Sequence, residues 1–213
     1  MTRTRVKLCG IATPDDLGAA IAAGADAVGF IRATSPRQID RSTLEALAAA
    51  LPPFVDGIAV FADSDEGEVA HARALGLTLQ FSGREPADAC ERASGGRTYV
   101  KAFHVPVDAI DAVVAVGTDA SAYERALWMF DSTVRGKLGG TGIAFDWHRV
   151  VAVARQRRTI VSGGLTPENV GACVRIVRPY AVDVRSGVES NGRKDPAKMR
   201  AFVRAVREAD EQA

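Results

Sequence analysis

Short apolar or β-branched runs alternate along the chain with longer segments whose apolar positions recur at helical spacing, and this pair returns about eight times. The pattern predicts strands at 5–9, 26–31, 55–61, 77–80, 98–103, 125–130, 158–162 and 180–184. Helices are predicted near 14–23, 41–50, 65–75, 86–93, 107–116, 146–155, 167–177 and 195–208. Strands separated by helical crossovers run parallel, right-handed crossovers wind them one way, and eight such units can close on themselves. An open doubly wound sheet would use fewer strands and carry one glycine-rich turn near its start, whereas the glycines here cluster late. Thr13-Pro14-Asp15-Asp16 and Thr166-Pro167-Glu168-Asn169 each place a capping hydroxyl before a proline at the first helical position. No Ser/Gly/Pro linker divides the chain, so the expectation is an α/β fold, a single-domain (β/α)8 TIM barrel over residues 1–213.

Composition narrows the partners. With 27 basic against 26 acidic residues, a formal charge of +1, no overall field draws the chain toward nucleic acid or an anionic membrane. Any bound anion must be held locally. The first apolar stretch, Val6-Lys7-Leu8-Cys9, reads as a strand rather than a signal-peptide core, and no long uncharged apolar window follows. A cytoplasmic location is the expectation. Cys9, Cys90 and Cys173 lack metal or disulfide spacing and read as free thiols, and no evident apolar surface stripe makes a monomer the default.

In such a barrel the C-terminal strand ends and the loops after them form the active face. Gly139-Gly140-Thr141-Gly142, Ser162-Gly163-Gly164 and Ser186-Gly187 follow three consecutive late strands. Glycines let a backbone approach an anion closely, so Gly140, Gly142, Gly163, Gly164, Ser186 and Gly187 are the phosphate candidates. Cys9 ends the first strand and is either a base at the mouth or barrel packing. Asp131 closes the sixth strand, as a working acid or a cap for the loop 132–138. Asp183 suits a structural hydrogen bond near the substrate, and Arg37 can fork onto a carboxylate. His71, His104 and His148 form no metal triad and read as structural or solvated.

Taken in order, several segments resemble phosphoribosylanthranilate isomerase over nearly the whole chain. They include Lys7-Leu8-Cys9-Gly10-Ile11, Gly24 through Phe30, Ser35-Pro36-Arg37, Gly139-Gly140-Thr141-Gly142, Ser162-Gly163-Gly164-Leu165, Ser186-Gly187-Val188-Glu189 and Lys194-Asp195-Pro196. The resemblance implies an Amadori rearrangement of N-(5-phosphoribosyl)anthranilate, in tryptophan biosynthesis, with no cofactor and no metal. It makes Cys9 the general base, Asp131 the general acid and Arg37 the holder of the anthranilate carboxylate. Two positions depart from the family pattern. Ser82 stands where a histidine usually faces the aromatic part of the substrate, which implies a roomier pocket, and Arg185 stands where a serine is usual, adding charge close to the phosphate loop. Two other readings stay open: a diverged paralogue acting on a related phosphoribosyl arylamine, and a non-catalytic phosphosugar-binding protein.

Overall fold

The computed structural model describes residues 3–106, 122–133 and 145–212. Among them eight parallel strands close into a barrel in chain order. These are β1 (Arg5–Cys9), β2 (Ala27–Ile31), β3 (Asp56–Phe61), β4 (Thr78–Phe81), β5 (Tyr99–Pro106), β6 (Ala126–Thr133), β7 (Thr159–Val161) and β8 (Ala181–Val184). Pairing of β1 with β8 completes the ring. The described helices are α1 (Pro14–Ala23), α2 (Arg41–Ala49), α3 (Glu66–Ala74), α4 (Ala87–Ser94), α5 (Val151–Gln156), α6 (Val170–Val177) and α7 (Pro196–Glu211). A short hairpin, β9 (Glu189–Ser190) with β10 (Arg193–Lys194), precedes α7. The predicted helix at 107–116 and the glycines Gly140 and Gly142 lie outside the described residues.

Local chemistry sets the helix starts. Thr13 forms a full capping box with Asp16, Pro14 occupies the first turn of α1, and Gly24 ends it at φ 87°. Asp40, Asp65 and Asp195 cap α2, α3 and α7. Two predicted helices start differently. The segment 146–155 opens as a 3-10 turn over Trp147–Val150, capped by Asp146, before α5 begins. The helix predicted from 167 begins at Val170, because the Thr166 carbonyl accepts from both Asn169 and Val170 amides and tightens that turn. Asn169 Oδ1 accepts from the Thr166 amide at 2.8 Å, so the Asn169 side chain braces the turn.

The period of two along each strand divides the core. One set of strand residues, including Val6, Leu8, Phe30, Phe61, Phe130 and Val182, joins the helices in the main apolar cluster. Each such fully buried side chain contributes roughly 1.5–3 kcal/mol. The alternate set gives a second cluster of Val100, Ala102, Met129, Ile160 and Ala181 that plugs the barrel, and the site lies above it.

Candidate active site

Residues two apart recur around one cavity at the C-terminal strand ends: Ile31 and Ala33, Val60 and Ala62, Gln80 and Ser82, Met129 and Asp131, Asp183 and Arg185. That spacing is what side chains sharing the inward face of a strand must show. Cys9, His104, Ser162, Gly163, Gly164, Ser186 and Gly187 complete the relevant wall. Of the sequence candidates in the described residues, Cys9, Ser82, Asp131, Gly163, Gly164, Asp183, Ser186 and Gly187 thus meet in one cavity.

The floor is a buried polar layer. Lys7 Nζ donates to Asp183 Oδ1 at 2.6 Å and to Gln80 Oε1 at 2.9 Å, and Ser162 Oγ donates to Asp183 Oδ2 at 3.0 Å. Burial opposes the Lys7 charge, but Asp183 and Cys9 outweigh it and hold the ammonium above its usual pKa. Both Asp183 carboxylate oxygens are thus engaged within this layer. Lys7 and Gln80 complete the layer unnoticed by the sequence reading, although counting back by two from Cys9 leads to Lys7.

Cys9 is 5% exposed, packed against Ile31 and Val60. Its room is made by Gly29, its register partner on β2, where any Cβ would stand 2.7 Å from the thiol sulfur. Burial pushes the Cys9 thiol up, while Lys7, Lys194 and Arg185 pull the other way. Asp131 is likewise raised, by burial first and by Asp183, against His104, Arg185 and Ser162. A carboxyl and a thiol that burial both pushes up, each opposed by nearby cations, thus meet in one cavity, as groups able to exchange protons do.

The glycines do steric work. Gly163, at φ 84°, could carry no Cβ without meeting Ser132 Oγ at 2.1 Å, and one on Gly187 would meet the Leu165 carbonyl at 1.9 Å. The loops after β7 and β8 thereby close against each other along the cavity wall.

Arg37 is not part of that wall. It lies two residues beyond the lining Ser35, its guanidinium forked onto Glu189 through Nε at 3.1 Å and through Nη2. Burial opposes the Glu189 charge, but Arg37 and Lys194 hold its carboxyl below the usual range. Arg185 does line the cavity, and its stem crosses from the loop after β8 to Gly10, whose Cβ would stand 3.4 Å from Arg185 Cγ and 3.6 Å from Ile31 Cδ1. Its charge is therefore carried toward the Cys9 side of the mouth. Ser82 Oγ accepts from Gln80 Nε2 at 3.1 Å, and the Ser82 carbonyl meets His104 Nε2 at 2.8 Å. His104, read from sequence as structural or solvated, thus borders the space that a small side chain leaves at position 82.

The sequence pattern of N-(5'-phosphoribosyl)anthranilate isomerase matches residues 6–205. The enzyme of that name from Pseudomonas fluorescens is 45% identical, with 99% of each chain covered. The one from Desulforudis audaxviator is 43% identical over 97% of this chain and 99% of its own. Among solved structures, phosphoribosyl anthranilate isomerase from Thermotoga maritima superposes with a TM-score of 0.84 at 31% identity, covering 96% of this chain and 99% of that one. A complex of such an isomerase with reduced 1-(o-carboxyphenylamino)-1-deoxyribulose 5-phosphate superposes at 0.80 with 30% identity and the same coverage. With full-length relatives of this similarity and a cavity of this composition, the chain belongs to the N-(5'-phosphoribosyl)anthranilate isomerase family.

Proposed function

We propose that the chain converts N-(5-phosphoribosyl)anthranilate into 1-(2-carboxyphenylamino)-1-deoxyribulose 5-phosphate, a step of tryptophan biosynthesis. The observation that carries this reading is the meeting of Cys9, Asp131, Gly163, Gly164, Ser186 and Gly187 in one cavity of a family member. Asp131, its carboxyl pushed above the usual range by burial, gives its proton to the furanose ring oxygen as the C1–O bond breaks and the nitrogen lone pair forms an iminium. Cys9 as thiolate then takes the C2 proton, the iminium nitrogen accepting the electrons, and an enolamine results. The thiol returns a proton to C1, the C2 hydroxyl gives its proton back to Asp131, and the ketone forms. The substrate itself supplies the electron sink.

The backbone of Gly163, Gly164, Ser186 and Gly187 holds the phosphate in this reading. Arg37 holds the anthranilate carboxylate with the Nη1 edge that Glu189 leaves open. Residues 1–213 act as one domain in the cytoplasm; among the described residues no helix is long and apolar enough to cross a membrane. A monomer is the reading supported by Phe54 being, among the described residues, the one exposed large apolar side chain, whereas a stable interface takes about 800 Å² per partner. The Thermotoga maritima enzyme, by contrast, is dimeric.

The test is turnover of freshly made N-(5-phosphoribosyl)anthranilate, followed by loss of anthranilate fluorescence, with growth of a tryptophan auxotroph lacking this isomerase. No turnover and no growth would overturn the assignment. Light scattering after size exclusion decides the monomer.

A further inference from the structure

His104 belongs to the reacting cavity, yet nothing in the mechanism above uses it. It stands on β5 directly opposite Asp131 on β6, the two being register partners with inward side chains. Its Nε2 lies 2.8 Å from the Ser82 carbonyl oxygen. A carbonyl only accepts, so Nε2 carries a hydrogen whether the ring is neutral or charged. The titrating nitrogen is then Nδ1. That atom is buried with no hydrogen-bond partner among the described residues, and it lies 3.9 Å from Asp131 Oδ2. A neutral ring locked in this tautomer presents a lone pair to a carboxyl, and a charged ring presents N–H to a carboxylate.

We propose that His104 Nδ1 and Asp131 Oδ2 close from 3.9 Å to hydrogen-bond distance and then hold one mobile proton between them, making His104 a positioning residue for the general acid. The inference rests on the isomerase reading of this cavity. With the proton on Oδ2 the pair is acid and neutral imidazole; with it on Nδ1 it is carboxylate and imidazolium, and both states hold the proton that the ring oxygen receives. When Asp131 delivers it, the C1–O electron pair goes to that oxygen, and the pair stays empty until the C2 hydroxyl proton returns as the ketone forms. The other groups that face the pair are the Asp183 carboxylate and Arg185 from the β8 side, the Ser162 hydroxyl from β7, and Ser82 from β4. None of these supplies a second titrating base within reach of Asp131 apart from Asp183, which Lys7 and Ser162 already occupy. Sharing lets the pair as a unit keep its one proton to higher pH than a carboxyl alone, because a proton that leaves Oδ2 has Nδ1 to go to, even though a charged His104 pulls the Asp131 carboxyl itself down.

The experiment compares wild type, His104→Gln, Asp131→Asn and the double variant on N-(5-phosphoribosyl)anthranilate across pH. His104→Gln should lower kcat by about tenfold or more with KM changed by less than about threefold, as for a lost proton-transfer partner. The alkaline limb of its kcat profile should move to lower pH, and the double variant should be no slower than Asp131→Asn. An unchanged kcat, or a lower kcat with the limb unmoved, would overturn the pairing. Nitrogen-15 titration of the three histidines provides a readout independent of turnover. In wild type His104 should show the Nε2–H tautomer, and Asp131→Asn should displace its Nδ1 resonance; identical nitrogen-15 spectra of His104 in both proteins across the pH range would end the proposal. If wild type itself does not turn over the substrate, the isomerase reading falls, while the titration still decides the pair.

Discussion

The reactive side chains at the mouth are held in a balance that single substitutions should tip in known directions. Cys9→Ala and Asp131→Asn should each lower kcat by at least about a hundredfold with smaller effects on KM, as for loss of a general base or acid. Fold retention is checked by circular dichroism, and near wild-type turnover in either variant would remove that residue's role. Arg185 acts on both groups at once, since its charge favours the thiolate of Cys9 and the carboxylate of Asp131. The sign follows directly: without that cation both groups hold their protons to higher pH. Arg185→Ser should therefore move both limbs of the kcat/KM profile toward alkaline pH, and a profile that stays in place would show that the guanidinium is screened from the cavity.

At the scale of strands and helices, the buried pair of Lys7 on β1 and Asp183 on β8 joins the two strands that close the ring. Asp183→Asn leaves a buried ammonium without its counter-charge, which costs about 3–5 kcal/mol. Urea unfolding should show that loss, and the double variant Lys7→Met/Asp183→Leu should recover much of it because neither charge is then buried. This layer also marks the limit of what the chain discloses by itself. Eight apolar runs are legible because each is short, β-branched and bounded by helix caps such as Thr13 and Asp195. Cys9 and Asp131 are legible because a reactive group ends an apolar run. The partners of Lys7 are not, since Gln80 and Asp183 lie 73 and 176 residues away and only the register between strands brings them together. For the same reason His104 reads as a residue beyond its strand. β5 and β6 run on through His104-Val105-Pro106 and Asp131-Ser132-Thr133, paired with each other, where the polar residues alone suggest loop. Arg37 shows the converse, a correct placement on the loop after β2 whose dominant contact, Glu189, comes from a hairpin that the strand pattern does not contain.

For the molecule as a whole, closure depends on fastening both ends of the chain around β1, the strand that carries Cys9. Thr4 donates to Asp210 on α7 through its amide at 2.8 Å and its hydroxyl at 2.7 Å, and α7 buries Met199, Phe202 and Val206 against the barrel. Arg207 reaches back from α7 to the Thr4 and Gly24 carbonyls and to Asp26. Asp26 is the common point, since it also accepts from Arg3 and from the Val6 amide at 2.9 Å. Burial opposes its charge, but Arg3, the Val6 amide and Arg207 together hold its carboxyl below the usual pKa of 3.8. For a carboxyl whose folded pKa is depressed, the stabilisation is complete above the unfolded value and is lost as pH falls through the folded one. Asp26→Asn should therefore be less stable than wild type at neutral pH, and the gap should narrow as the pH drops below about 4. Urea midpoints of the two proteins, measured from pH 7 down to pH 3, read this directly. A gap that stays constant over the range would mean that Asp26 fastens the seam by hydrogen-bond shape alone, with its charge contributing nothing to closure.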